Sequence, residues 1–162
     1  MAELICDTSA LIALHQVGLL HILPVLCSAI IVPAAVEQEL AIGRLEGYDL
    51  LDVGSYDWMK VRVPSTCPAL PHANQLGAGE LNVLWLALEI PGCIAVLDDG
   101  PARRVAGELG IQFTGTLGLL VDAKRHGLIS AVEPLLDEVD RREFNMSPRI
   151  RHSVLKAAGE SQ

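Results

Sequence analysis

Three short apolar runs decide most of what this chain can fold into. Leu4-Ile5-Cys6, Ala29-Ile30-Ile31-Val32 and Ile94-Ala95-Val96-Leu97 are apolar at consecutive rather than alternate positions. A strand with that pattern is buried on both faces, which points to a parallel sheet with helices on each side. A shorter run, Ile111 to Phe113, predicts a further buried strand, and Trp58 to Val63, which alternates apolar and basic residues, an edge strand. Helical segments lie between the runs. Thr8 or Ser9 can cap a helix carrying Leu11, Ile12 and Leu14 and ending near Gly18. Leu19 to Leu26 reads as a second short helix around Pro24, and Ala34 to Ile42 as a helix closed by Gly43. Gly77 to Ile90 is the clearest, with Leu81, Leu84, Trp85 and Leu88 on one stripe. Pro101 to Leu109, Leu117 to His126, Ala131 to Glu143 and Pro148 to Ala158 follow. Strands alternating with helices predict an α/β fold, a three-layer α/β/α sandwich around a central parallel sheet.

In such a sheet every strand ends at the same edge, and that edge is where sites form. Asp7 directly follows the first apolar run and Asp98-Asp99 ends another. Glu39 lies in the helix after the second run, and Glu80 at the start of the long helix. Cys6-Asp7, Ala78-Gly79-Glu80 and Leu97-Asp98 put a carboxylate beside residues that read as buried. A buried carboxylate is costly unless it is paired or bound to a cation. Two of them ~5 Å apart repel by roughly 3 kcal/mol at an effective dielectric near 20. Few bases are near in sequence, so a divalent cation is the candidate partner, and all-oxygen donors favour Mg²⁺ or Mn²⁺ over zinc. Each acid also has an ordinary reading: Asp7 as a helix cap, Glu80 as a charge at a helix start, and Asp98-Asp99-Gly100-Pro101 as a turn and cap.

Charge sharpens this. The chain of 162 residues carries a formal net charge of −8. Residues 1–99 hold twelve acids and three bases, whereas residues 100–162 hold eight acids and nine bases. A protein that grips nucleic acid by bulk charge alone is excluded. Phosphate contacts are expected instead from Arg103, Arg104, Lys124 or Arg125 in the second part. With hydrophobic residues at 51%, the chain is folded rather than disordered, and aromatics at 4% make its core aliphatic.

Other chemistries fit poorly. Gly77-Ala78-Gly79 lacks the third glycine of a dinucleotide fingerprint, position 82 being Asn82. There is no phosphate-binding P-loop, no G-x-S-x-G elbow and no zinc spacing among the cysteines and histidines. No charged residue occurs between Asp7 and Glu37, but Gln16, Gly18, Pro24 and Pro33 break that stretch into pieces too short to span a bilayer. Glu3 and Asp7 stand where a leader would carry bases, so the protein is expected in the cytoplasm, away from membranes.

Five stretches, in order, resemble a known family: Leu4-Ile5-Cys6-Asp7-Thr8-Ser9; Val32-Pro33 through Glu39-Leu40; Leu76-Gly77-Ala78-Gly79-Glu80; Leu97-Asp98-Asp99 with Ala102-Arg103; and Gly115-Thr116-Leu117-Gly118. Together they resemble the PIN-domain ribonucleases, in the branch related to VapC-type toxins. The resemblance implies a PIN-like domain over residues 1–145, with 146–162 a C-terminal helix packing on that domain or on a partner. It implies a metal-dependent endoribonuclease acting on single-stranded RNA, the toxin of a toxin–antitoxin pair. Asp7, Glu39, Glu80, Asp98 and Asp99 would be catalytic, with Asp7, Glu80, Asp98 and Asp99 holding Mg²⁺ or Mn²⁺. Ser9 and Thr116 would support them, and Arg103 and Arg104 would meet the substrate. Whether Asp98 or Asp99 is the ligand stays open. A homodimer is expected both from the family and from the aliphatic helices of residues 11–26 and the C-terminal helices, together with a small antitoxin protein. The alternatives are a non-catalytic PIN-like binding module and a DNA-processing nuclease.

Overall fold

A computed structural model describes residues 1–142 and 146–160. Five strands form one parallel sheet: β1 (Glu3–Cys6), β2 (Ala29–Pro33), β3 (Met59–Arg62), β4 (Ile94–Val96) and β5 (Phe113–Thr114). Their spatial order is β3-β2-β1-β4-β5, so β1 is central and the chain reverses direction across the sheet after β3. β1 is in register with both neighbours, Ile5 beside Ile31 and Ala95.

Eight helices surround the sheet among the described residues: α1 (Thr8–Gln16), α2 (Leu23–Leu26), α3 (Ala34–Leu45), α4 (Ala78–Glu89), α5 (Gly100–Glu108), α6 (Thr116–Arg125), α7 (Glu133–Arg141) and α8 (Pro148–Ala157). Strand residues alternate between two cores, as the pleat requires. Leu4, Cys6, Ile30, Val32 and Val96 face α1, α2, α3 and α6, while Ile5, Ile31, Ala95 and Leu97 face α4 and α5. The result is the expected α/β/α sandwich with an aliphatic interior.

Local differences from the sequence reading have physical causes. α3 runs through Gly43 to Leu45, because Gly43 is not a stop but a gap. The Leu50 side chain lies over it, so close that a Cβ there would strike Leu50 Cδ1. The turn comes at Gly47, in the left-handed region at φ 94°. Residues 19–26 are a 3₁₀ turn, Leu20–Ile22, leading into α2. α1 is capped by Asp7 rather than by Thr8 or Ser9. The apolar residues of 11–26 mostly face inward, with Leu11, Leu14, Ile22 and Leu23 fully buried, but Val25 is exposed. Ile42, Leu45 and Tyr48, and Ile150 in α8, also expose apolar side chains. No single described helix is long and apolar enough to cross a membrane; α1 and the Leu20–Leu26 segment are bent by 112° at their junction. All four cysteines are free thiols.

The expected boundary at 145/146 and the expected helix end at Glu143 touch residues outside the described set. Beyond them, α8 lies on α6, with Val154, Leu155 and Ala158 against the core that includes α1 and α6. Two polar ties hold it. Arg151 pairs with Asp137 at 2.7 Å. Glu160 accepts from Lys124 Nζ at 2.9 Å and from the main-chain N–H groups of Val132 and Glu133, thereby capping α7. Glu160→Ala should therefore destabilise the protein by about 1–3 kcal/mol, the range for hydrogen bonds to a charged group. Urea denaturation measures the loss, and hydrogen exchange should show α8 opening before the sheet.

Candidate functional site

Parallel strands end at one edge, and the helices that follow them begin there. α1, α5 and α6 start within four residues of the ends of β1, β4 and β5, and α4 enters the same edge from the loop before it. Helix N-termini carry unpaired N–H groups and partial positive charge. The five predicted acids sit on those ends.

Asp7 caps α1, Oδ1 accepting from Ala10 N at 3.0 Å. Ser9 Oγ lies 3.3 Å and 3.2 Å from its two oxygens. The residue is only 3% exposed. Burial raises its pKa from 3.8 to about 7, aided by the charges of Asp98 and Glu80 and opposed by the bonds from Ala10 and Ser9.

Glu39 projects from α3 and joins three elements. One oxygen accepts from Thr8 Oγ1 at the start of α1, the other from Gly79 N at 3.2 Å in the first turn of α4. Gly79 is the reason the carboxylate can approach, since a Cβ there would stand 3.0 Å from Glu39 Oε1 and 3.3 Å from Val36 Cγ2. Glu80 turns back over the same helix start and accepts from Gly77 N at 3.0 Å. Burial raises its pKa, with Asp99 and Glu39 contributing. Asp7, Glu39 and Glu80 line one cavity of about 300 Å³ with Thr8, Ser9 and Gly79.

The adjacent acids at the end of β4 diverge. Asp98 accepts from Thr116 N at 2.7 Å and Thr116 Oγ1 at 2.6 Å, so it is fastened to the start of α6. Gly115 makes this possible, because a Cβ there would lie 2.8 Å from Asp98 Oδ1. Asp99 caps α5, accepting from Ala102 N at 3.2 Å. Asp98 acts electrostatically on Asp7, and Asp99 on Glu80.

The donors suit a hard divalent cation: all are oxygens, and buried Asp7 has no cationic partner among its bonds. As the side chains stand, no three His, Cys, Asp or Glu residues among the described ones are close enough to hold an ion. Asp98, in particular, spends both oxygens on Thr116.

A family described as DUF3368, PIN domain, matches residues 3–160. The chain belongs to this PIN-domain family. No curated protein matches it.

Among the bases of this PIN domain, Arg103 is beside the acids. Its guanidinium lies 5.1 Å from the centre of the Phe113 ring and near Gly115. Arg104 is turned about 100° further round α5 and lines no cavity with the acids. Lys124 is committed to Glu160, and Arg125 to Asp122 and the Ala157 carbonyl. Arg141 and Arg142 pair with Glu138, and Arg151 with Glu133 and Asp137. Much of the basic second part is thus paired within the chain. Thr8, Gly79 and Gly115 were not singled out from sequence; the glycines flanking Glu80 and Thr116 were the available signal.

The raised Asp7 pKa has a consequence for stability. Folding favours protonated Asp7, so its stabilising contribution is complete below about pH 4 and is lost as pH rises toward about 7. Asn keeps the helix cap without the charge. In metal chelator, Asp7→Asn should be about 1–3 kcal/mol more stable than wild type at pH 8 and nearly equal to it at pH 4. Thermal unfolding at the two pH values checks this.

Proposed function

We propose that this PIN domain is a metal-dependent endoribonuclease that cleaves single-stranded RNA. The observation that carries the proposal is the placement of five carboxylates along one sheet edge, with Asp7 desolvated and, among the described residues, no lysine or arginine bonded to any of them. Four helix ends supply about half a positive charge each, roughly two in all, so the carboxylates still outnumber the positive charge around them. Such a surplus is what a bound cation relieves.

Asp7, Glu80, Asp98 and Asp99 would hold Mg²⁺ or Mn²⁺. The ion would supply Lewis-acid polarisation of the phosphoryl group and neutralise charge at the leaving oxygen. Burial raises the Asp7 pKa to about 7, so a cation held there would have to displace its proton. Ser9 keeps the Asp7 carboxylate oriented, and Thr116 does the same for Asp98. Glu39, tied to Thr8 and Gly79 and lining the same cavity as Asp7 and Glu80, would orient the attacking water. Arg103 meets the phosphate next to Asp98, and Arg104 a phosphate further along the strand.

On this reading the protein is the toxin of a toxin–antitoxin pair, works in the cytoplasm as a homodimer, and is restrained by a small antitoxin protein. Exposed Ile42, Leu45 and Tyr48 at the far end of α3 and the turn after it provide apolar surface for such partners. Light scattering at micromolar concentration should give twice the chain mass; a monomer removes the dimer from the proposal.

The central test is cleavage of a single-stranded RNA with Mn²⁺ or chelator, alongside DNA of the same sequence. Wild type should cleave the RNA only with metal, and Asp7→Asn should lower the rate at least ~100-fold while remaining folded. RNA binding with no cleavage supports the non-catalytic module instead, and preferential cleavage of DNA the DNA-processing nuclease.

A further inference from the structure

A second cavity, of about 190 Å³, is lined by Asp98 and shares no lining residue with the cavity of Asp7, Glu39 and Glu80. Its walls include Asp98, Arg103, Leu117, Met146 and Ile150. Asp98 Oδ1 and Arg103 Nη2 lie 2.8 Å and 3.8 Å from where a Cβ on Gly115 would stand, so the two groups are neighbours here, and Asp98 is near enough to Asp7 to act on it electrostatically. Leu117, Met146 and Ile150 give it apolar sides, and Ile150 is 48% exposed although it is a large aliphatic residue. The α8 wall is held in place by the Arg151–Asp137 and Lys124–Glu160 pairs.

Arg103 is unusual in how it is held. The Phe113 ring lies beside its guanidinium, 5.1 Å from ring centre to Cζ. No carboxylate pairs with Arg103 among the described residues. A guanidinium held beside an aromatic ring and lining a cavity with apolar sides is suited to stacking. Single-stranded RNA is read largely by stacking its unpaired bases on aromatic rings and arginine planes.

Resting on the ribonuclease reading, we propose that this cavity receives one nucleobase of the RNA strand, adjacent to the scissile phosphate. The base stacks on the Arg103 guanidinium and rests against Leu117, Met146 and Ile150. Phe113 is a positioning residue that keeps the guanidinium plane fixed. The guanidinium face takes the base and its N–H edge the neighbouring phosphate, whereas a phosphate inside the cavity itself is disfavoured because Asp98 forms part of its wall. The cavity therefore gives the C-terminal helix a place in substrate recognition and makes the enzyme sensitive to the base at one position only.

The test is an abasic scan of a single-stranded RNA substrate, reading single-turnover cleavage in Mn²⁺ and affinity by fluorescence anisotropy in chelator. Wild type should lose about tenfold in affinity when the base is removed at one position next to the cleaved bond, within the range for a single stacked base. Arg103→Lys keeps the charge but not the plane, and Ile150→Ala removes part of the wall. Both should weaken binding to intact RNA and should no longer distinguish the abasic strand. If wild type cleaves but no position is sensitive, or if Arg103→Lys behaves as wild type, the base site is overturned while the ribonuclease reading stands. If wild type neither binds nor cleaves RNA, both are overturned.

Discussion

The structure depends on carboxylates docking onto helix N-termini at the carboxyl edge of a parallel sheet. That edge is crowded by construction, because all five strands point toward it and the following helices must start there. Each start presents N–H groups that the helix itself cannot satisfy. Asp7, Asp99 and Glu80 satisfy those of α1, α5 and α4, while Glu39 and Asp98 reach across from other elements to α4 and α6. The two long-range contacts also fix how the layers meet: Glu39 links α3, α1 and α4, and Asp98 links the end of β4 to α6.

What was legible in the sequence follows from this geometry. Apolar runs ending in an acid mark strand ends, because burial and the helix start that follows leave their trace in adjacent residues. Asp7 and Asp98-Asp99 could therefore be placed at the edge from spacing alone. The cap of α1 was harder to see. Asp7, Thr8 and Ser9 are all good capping residues, and only the backbone shows that the helix begins one residue after Asp7. Gly43 misled for a related reason: a glycine needed for close packing by Leu50 looks in sequence like one needed for a turn. Contacts across the chain left the weakest trace. Glu39 with Gly79, Asp98 with Gly115 and Glu160 with the start of α7 each join distant segments, and no local periodicity records them.

The divergence of Asp98 and Asp99 bears on how one edge can both hold a fold together and bind an ion. Successive residues leaving a strand point to opposite sides. Asp98 goes to α6 and Asp99 to α5, so the pair cannot both turn toward Asp7 without giving up a helix cap. A carboxylate has about four acceptor positions, however, and a single N–H bond occupies one of them. Asp7 and Asp99 thus keep acceptor capacity while still capping α1 and α5. Asp98 has both oxygens on Thr116, as Glu39 has one on Thr8 and one on Gly79. A cation bound at Asp98 would therefore have to share its oxygens with the α6 anchor. Because Thr116 is fully buried, releasing its hydroxyl would leave a polar group without a partner, so any ion held here would have to compensate for that loss.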